Sequence, residues 1–496
     1  MYDKLLNLIN TLKMKNKILS IFVFILLFAS CTKDFESYNT DKKNPATTPG
    51  DPLFTSGTIA LVDQLYSTNV NVNVWKLFSQ YWTETTYVDE VNYNVLSRNI
   101  PDLQFRIYYR DILRDLKESR TLISAETPIL ESDKIVKNNK LLIIDILSSY
   151  TYQQLVDMFG NVPYSEALQI EDITPAYDDA FTIYKDLIVK VNTALTGLDD
   201  SYGSFGSADP IYNGNVASWK KFANSLKIKL GIAIADADAT LAQTTIESAF
   251  SGAFTSKDDE AVMEYFSYPP YQNPLYDDLV ASGRHDFVPA NTIVDLMNQL
   301  KDPRRSAYFT LYYNATLDTF IYKGGTYGVR SSYAKYSHIN DNIQVSNYPG
   351  TVMSYTEVLF YLAEAAARGF NVGQTADVLY YNAISSSILE WGGTSADISA
   401  YFLEPDVVYN TADWRKCIGT QSWLASYVRG FEGYTTWRRL DYPIFTVAPR
   451  ISGYDQIPVR FTYPVNEQTL NADNYYNAAS AIGGDIMTTK LFWDKF

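Results

Sequence analysis

Apolar residues return along most of this chain with the period of a helix. From Tyr177 onward, Phe181, Tyr184, Ile188, Val191, Leu195 and Leu198 recur at steps of three and four, which predicts one amphipathic helix with its apolar stripe inward. The stretch Asn138 to Phe159 is apolar on nearly every face, through Leu141, Ile144, Leu147, Tyr150, Leu155 and Met158. Such a helix has to lie between others, and Gly160 followed by Pro163 closes it. The same period predicts helices over Val216 to about Ala235, Ser354 to Arg368, Ala376 to Glu390 and Gln421 to about Arg439, the last three ended in turn by Gly369, Gly392-Gly393 and Pro443. Leu53 to about Ser124 reads as helical pieces with a break at Asn92 to Pro101. Helix after helix with short connections predicts stacked antiparallel pairs, although no clean repeat of ~34 residues is present.

Two regions lose the period. Between about 257 and 349, tyrosines are interspersed with prolines and glycines, and Ile457 to Phe496 has short runs and Asn-rich turns. The first reads as a loop-rich insertion, the kind of segment that carries binding residues on a rigid scaffold. Its candidates are Tyr268, Tyr271, Tyr276, Arg284 and His285. Nearer the N-terminus, Trp75, Phe78 and Trp82 share a helical stripe and read as core, whereas Tyr81, Tyr87 and Tyr93 fall off it and read as ligand contacts.

The first thirty residues are a different kind of pattern. Lys15 and Lys17 precede an apolar run, Ile18 to Phe28, that ends in Phe28-Ala29-Ser30-Cys31. Eleven residues make roughly 16 Å of helix at ~1.5 Å per residue, far short of the ~30 Å a spanning helix must cross. The run reads as the core of a signal peptide (1–30) with a lipobox, and Cys31 as the lipid attachment residue; an ordinary cleaved signal with a coincidental cysteine is the alternative. Met14 gives the more usual short basic start, ahead of which Met1 to Lys13 is a prefix. Residues 31–51 are polar and read as a flexible tether, and 52–496 as the folded domain.

Charge and composition narrow the classes. The chain is −15 overall; removing the first thirty residues, which are net +3, leaves −18, unsuited to nucleic acid or an anionic membrane face. With Cys31 committed to lipid, Cys417 is alone and reads as a small core residue, so no disulfide framework or cysteine metal site is predicted. His285 and His338 sit in no HExxH pattern, which disfavours a zinc hydrolase or a histidine triad. Asp236, Asp238, Thr240, Thr244 and Glu247 have a calcium-loop spacing, but Leu241 stands where the turn demands glycine, so a helix cap is the better reading. Arg438 and Arg439 read as structural partners of Asp441. No cofactor, metal or catalytic residue is predicted. The 15% aromatic content, carried by 40 tyrosines, offers rings on which a sugar's C–H face can stack.

Several blocks in order resemble the SusD/RagB family of outer-membrane nutrient-binding lipoproteins, in its SusD-like branch. They are Asp157-Met158-Phe159-Gly160-Asn161-Val162-Pro163; Asp209 to Lys229 with Pro210-Ile211-Tyr212-Asn213-Gly214; Lys301-Asp302-Pro303-Arg304; Tyr355-Thr356-Glu357-Val358-Leu359-Phe360 with Ala363-Glu364-Ala365; Trp437-Arg438-Arg439; and Ile457-Pro458-Val459-Arg460-Phe461. The resemblance implies a mostly α fold, a tetratricopeptide-like scaffold of helical pairs with a loop-rich ligand-binding part. It also implies an oligosaccharide ligand, or in some members a peptide, and a partner, a SusC-type TonB-dependent transporter over whose barrel the lipid-anchored protein would sit as a lid. It implies no enzyme activity and transfers no ligand residue. Two other classes stay open on the residues alone. One is a surface glycosidase with two carboxylates within Glu84 to Glu90 or Asp258 to Glu264; the other is a helical interaction scaffold without a small ligand.

Overall fold

The computed structural model describes residues 2–29, 48–169, 171, 173–449 and 456–496, with the side chains of 18–29 left aside. Cys31 and most of the tether lie outside the described residues. Residues 1–49 form one unit, containing helix α1 (Tyr2–Ala29), and residues 50–496 form the other. Among the described residues, no helix is long and apolar enough to cross a membrane.

In the large unit, α2 (Gly50–Tyr66) starts inside the stretch read as tether. Its Gly50 packs so tightly on Ile123 and the Ser119 carbonyl that a side chain would have no room. Residues 100–125 continue as one helical rod whose last part is α3 (Arg114–Ala125), and α2 packs along it. There follow α4 (Glu131–Phe159) on α5 (Ala180–Gly197), α6 (Val216–Ala233) on α7 (Ala239–Glu247), and α8 (Tyr355–Ala367) on α9 (Ala376–Glu390). These are the helical pairs the periodicity predicts, and the mostly α class stands. Helices α10 (Trp414–Ala425) and α11 (Gly430–Leu440) pack on each other and, through α10, on α8.

The predicted faces are the buried ones. Ile183, Tyr184, Leu187, Ile188, Val191 and Ala194 of α5 are buried, and Asp179 caps the helix by accepting the Thr182 N–H at 2.8 Å. Asp238 caps α7 through the Leu241 N–H, as the cap reading of the acidic cluster requires. Fully burying one large apolar side chain contributes about 1.5–3 kcal/mol, so these faces hold the stack together.

Charge also sits in the core. Lys229 of α6 lies between Glu357 of α8 and Glu432 of α11, at 3.1 and 2.6 Å; Arg429 pairs with Glu357 as well. Arg439 pairs with Glu364, which Arg368 joins to Asp236. Asp302 receives the Arg304 guanidinium and the Tyr401 hydroxyl. Asp209 accepts N–H bonds from Ile211, Tyr212 and Gly214 and from the Trp219 indole. The arginine pair after Trp437 is structural, but its partners differ from the expected one: Arg438 donates to the Asp157 and Val459 carbonyls, while Asp441 pairs with Arg415. Cys417 is only partly buried and lies on the wall of a cavity rather than inside the core.

Short antiparallel pairs order the region between the helices. Strand β1 (Trp82–Glu84) pairs with residues 287–289, residues 261–263 pair with 350–353, and residues 312–314 form a hairpin with 319–321. The segment read as loop-rich is therefore loops tied down at three places.

Candidate functional site

Where β1 ends, three segments from distant parts of the sequence converge. The ladder sets Glu84 opposite Phe287. One residue on, Thr85 donates its N–H to the Asp286 carbonyl at 2.9 Å and its hydroxyl to the His285 carbonyl at 2.6 Å. Arg330 donates to the Thr86 carbonyl, and the Ser331 N–H to that of Glu84. Tyr87 and Arg284–Asp286 thus emerge at the same end of a pinned two-strand ribbon, with Arg330–Tyr333 beside them. Beneath, the Trp82 and Phe287 rings pack 5.8 Å apart and seat the ribbon on the core.

Tyr87 is 66% exposed and lines a cleft of about 270 Å³ with Val70, Glu84, Asp89, Arg98 and Arg284. A second hollow of about 330 Å³ adjoins it, sharing Val70, Arg98, Arg284, Asp286 and Phe287 and adding Asn71 and Asp278. Asp278 fixes the Thr68–Asn71 rim by accepting the Thr68 N–H at 2.8 Å. Asp286 clamps Arg284 through Nε and Nη2, at 2.5 and 3.1 Å, so the guanidinium is held with its Nη1 edge unpaired among the described residues. Beside the cleft His285, Tyr333 and His338 form one stack, with centroids 4.2 and 3.7 Å apart and planes within 18° and 12°. His338 is fixed by contact of its Nε2 with the Tyr333 carbonyl at 3.0 Å.

Two carboxylates of this region, those of Glu84 and Glu90, are part of its frame. Glu84 accepts the Val91 N–H at 3.1 Å, and burial pushes its carboxyl up to about 8 against the opposing pull of that bond and of Arg98. It is therefore uncharged over most of the neutral range. Glu90, fully buried, pairs with Arg98.

Of the predicted contacts, Tyr87, Arg284 and His285 come together here. Tyr268 and Tyr271 lie elsewhere, on a turn closed by the Phe266 N–H to the Tyr271 carbonyl. There Phe266 stacks on Tyr268 at 5.6 Å and 12°, and meets Tyr271 edge-on. All three rings are exposed. Tyr276 is partly buried on the short helix Pro274–Tyr276, which leads to Asp278.

Tyr81 and Tyr93 are corrections: both are core residues. The helix that starts at Trp75 ends at Phe78, and Gln80 turns the chain with φ 56°. Tyr81 then points inward and donates its hydroxyl to the Trp423 carbonyl at 2.5 Å. Tyr93, itself at φ 63°, packs edge-on against Phe78 at 5.0 Å and meets the Tyr327 hydroxyl at 3.3 Å; burial raises its own hydroxyl to about 12. Trp75, Phe78 and Trp82 are buried as predicted, although Trp82 is on β1 and not on a helix. Sequence reasoning missed Asn71, Arg98, Phe266 and the place of Tyr333 between the two histidines. Only the coincidence of both histidines with a tyrosine-rich segment pointed that way.

Comparison with known proteins places the chain. A SusD-like family model, described as starch-binding and associating with the outer membrane, matches residues 41–464. A solved chitin-binding protein is 25% identical, with a TM-score of 0.78 over 90% of this chain and 100% of its own. A SusD homolog from Bacteroides uniformis is also 25% identical, with a TM-score of 0.74 over 89% and 100%. A chitin-binding SusD homolog from Flavobacterium johnsoniae, 22% identical over 90% and 97%, shares the fold with a TM-score of 0.74. No curated protein sequence matches the chain.

Proposed function

This chain belongs to the SusD-like family of starch-binding proteins associated with the outer membrane, and from that premise we propose that it is a non-catalytic, surface-facing lipoprotein. It is held in the membrane by lipid on Cys31, captures an oligosaccharide at the Tyr87–Arg284 cleft, and delivers it to a SusC-type TonB-dependent transporter. The observation that carries the binding site is the convergence, on one pinned ribbon, of an exposed Tyr87 ring, a clamped Arg284 and the His285–Tyr333–His338 stack.

Such a site binds without reacting. A pyranose lays its C–H face on Tyr87 while its hydroxyls accept from Arg284 Nη1 and donate to Asp89 and Asp286. The ring positions are set before ligand arrives, which lowers the ordering cost of binding. The aromatic turn with Phe266, Tyr268 and Tyr271, and Tyr276 behind it, supply further stacking for a longer chain. Glu84 and Glu90, held by the Val91 N–H and Arg98, support the ribbon from beneath.

Calorimetry with malto- and chito-oligosaccharides tests this. Removing one stacking ring costs about 0.5–1.5 kcal/mol, so Tyr87→Ala weakens binding roughly threefold to tenfold, and a double Tyr87→Ala, His285→Ala variant weakens it further. Binding unchanged in the double variant, or turnover of a bound sugar, would sink the proposal. Purification from outer membranes tests the partner, with a barrel transporter expected to accompany the protein.

A further inference from the structure

Past the His285–Tyr333–His338 stack the charge along the chain changes sign. From Arg305 to His338 there are four cations, Arg305, Lys323, Arg330 and Lys335, and one carboxylate, Asp318, in a protein whose net charge is −15. Arg284, Lys301 and Arg304 before this run and Arg368 after it all have carboxylate partners. Among the described residues none of the four has one. Asp318 instead accepts the Tyr313 hydroxyl at 2.5 Å, and Asp341, the next acid along the chain, has no cation within ion-pair distance.

Lys323 stands at the centre of the run. Its ammonium lies 4.8 Å from the Tyr312 ring centroid and 4.9 Å from that of Tyr336, held between two electron-rich rings. Among the described residues the ammonium makes no hydrogen bond, and neither tyrosine hydroxyl has a partner. All three side chains are partly buried. The hairpin register pairs Tyr312 with Ile321 and Tyr313 with Phe320, so the exposed Tyr313 and Phe320 belong to the opposite face.

Short links join Lys323 to the Tyr87 cleft. Arg330 donates from Nε to the Thr86 carbonyl at 2.9 Å, one residue before Tyr87. Tyr333, the middle ring of the stack, is three residues before Tyr336. Next to His338, Ser337 gives its N–H to the Lys323 carbonyl at 2.9 Å and accepts the Lys323 N–H on its hydroxyl at 3.0 Å.

We propose that Lys323, between Tyr312 and Tyr336, holds an acidic substituent of the bound glycan, a carboxylate or sulfate group on a sugar unit lying past the Tyr87 cleft. This rests on the reading of the protein as a glycan binder and names the substrate class. An ammonium flanked by two unpartnered phenol hydroxyls offers donors with no carboxylate to compete for them, which suits an anion. The two rings already order the lysine stem, so less is lost when the anion arrives. At ~0.15 M salt charges are screened beyond about 8 Å, so these local cations outweigh the net negative charge of the rest of the chain. Arg330 and Lys335, both exposed, present the same sign to neighbouring units.

Calorimetry with three tetramers separates the outcomes: neutral maltotetraose, a galacturonate tetramer, and a carrageenan tetramer that carries sulfate and no carboxylate. At least one acidic tetramer binds, and which one responds to Lys323 tells carboxylate from sulfate. Lys323→Gln weakens it about fivefold to tenfold, while Lys323→Arg, which keeps the charge, and Phe320→Ala, on the opposite face, leave it within about twofold. Maltotetraose does not respond to Lys323→Gln. Raising NaCl from ~0.05 to ~0.5 M weakens the acidic tetramer more in the unaltered protein than in Lys323→Gln. The proposal is overturned if neither acidic tetramer binds, or if binding is kept in Lys323→Gln and lost in Tyr87→Ala, a result that leaves the cleft reading intact. Binding lost in Lys323→Gln and kept in Tyr87→Ala would sink the cleft and support this site. Hexaglutamate binding as tightly, with the same sensitivity to Lys323→Gln, would overturn the glycan assignment.

Discussion

Tyr81 shows how a single backbone angle decides whether a ring meets ligand or core. Its hydroxyl lies over Gly433 of α11, where an added methyl group would overlap Oη and come within 2.6 Å of Cζ. Gly433→Ala therefore forces the ring or the helix to shift, at about 1–3 kcal/mol. Tyr81→Phe loses about 1 kcal/mol with its bond to the Trp423 carbonyl. In urea denaturation the double variant is expected to cost less than the sum of the two, because removing the hydroxyl relieves part of the overlap; strict additivity would place the two residues out of contact. Nothing between Ser79 and Tyr81 is glycine or proline, so the left-handed turn at Gln80 leaves no mark in the sequence, and helical spacing continued past its true end puts Tyr81 on the wrong face. Tyr87, nine residues after Phe78, falls where the chain has already left the core, and its ring is exposed. Titration adds a second test at this scale. Glu84 is raised to about 8, Glu260 to about 7 and Asp63 to about 6, each chiefly by burial. The folded protein keeps these protons after the unfolded chain has released its own near pH 4, so their stabilisation is complete below that point and is lost as pH rises to about 8. Lys76, lowered to about 7 by burial, works oppositely: it is neutral in the folded state above pH 7 while the unfolded chain holds its proton to about 10.5, so stability returns over that window. Melting temperatures at pH 5, 7 and 9 should trace a shallow minimum between 7 and 8. Glu84→Gln flattens the acid limb, by an amount on the order of a few kcal/mol across the window, and Lys76→Met flattens the alkaline limb. An acid limb equally steep in Glu84→Gln would mean that the side chain is solvated.

The helices were legible because their faces are unequal, and the blocks that carry the family resemblance were legible for a related reason. Glu357 and Glu364 stand in an otherwise apolar helix, Asp157 ends one, and Asp302-Pro303-Arg304 sits between two elements. Such acids are costly to bury unless partners reach them, and here the partners come from other blocks: Lys229 and Arg429 for Glu357, Arg439 for Glu364, Trp493 and Tyr184 for Asp157. The recurring residues are thus the two ends of buried polar networks that fix how α4, α6, α8 and α11 meet. This explains why no ligand contact travels with them. The loop-rich segment was opaque because its structure depends on pairings the local pattern cannot contain: Thr85 with Asp286, His285 with Tyr333, Ser331 with Glu84. A prediction belongs to the network. Lys229→Met leaves Glu357 and Glu432 facing each other without the cation between them, which should cost about 3–5 kcal/mol in chemical denaturation. Adding Glu432→Gln should recover part of that loss, since Arg429 still neutralises Glu357. If the single variant lost less than about 1 kcal/mol, the cation would not be what holds α6 to α8 and α11.

For the whole molecule, the question is why a binding protein should be tied to a membrane at all. A free protein in the medium would meet a transporter only by diffusion, whereas one held by lipid, as proposed for Cys31, would stay within reach. A flexible chain as long as the proposed tether, about eighteen residues, would have a root-mean-square span of roughly 23 Å and a full reach of about 60 Å. A leash of that kind keeps the partner at an effective concentration in the millimolar range, so even a weak contact between lid and barrel stays mostly formed. Delivery should then depend strongly on the anchor and weakly on leash length. Cys31→Ala should release a folded protein with unchanged oligosaccharide affinity, lacking labelled fatty acid, and cells carrying it should take up the oligosaccharide poorly. Quadrupling the leash with a Gly/Ser insert after Thr48 lowers the effective concentration only about eightfold, so uptake should fall modestly and remain well above the Cys31→Ala level. Uptake that is normal without the anchor would remove the reason for the lipid and with it the delivery role. Uptake abolished by the longer leash, with affinity intact, would mean that the segment itself makes a specific contact with the transporter and is no passive tether.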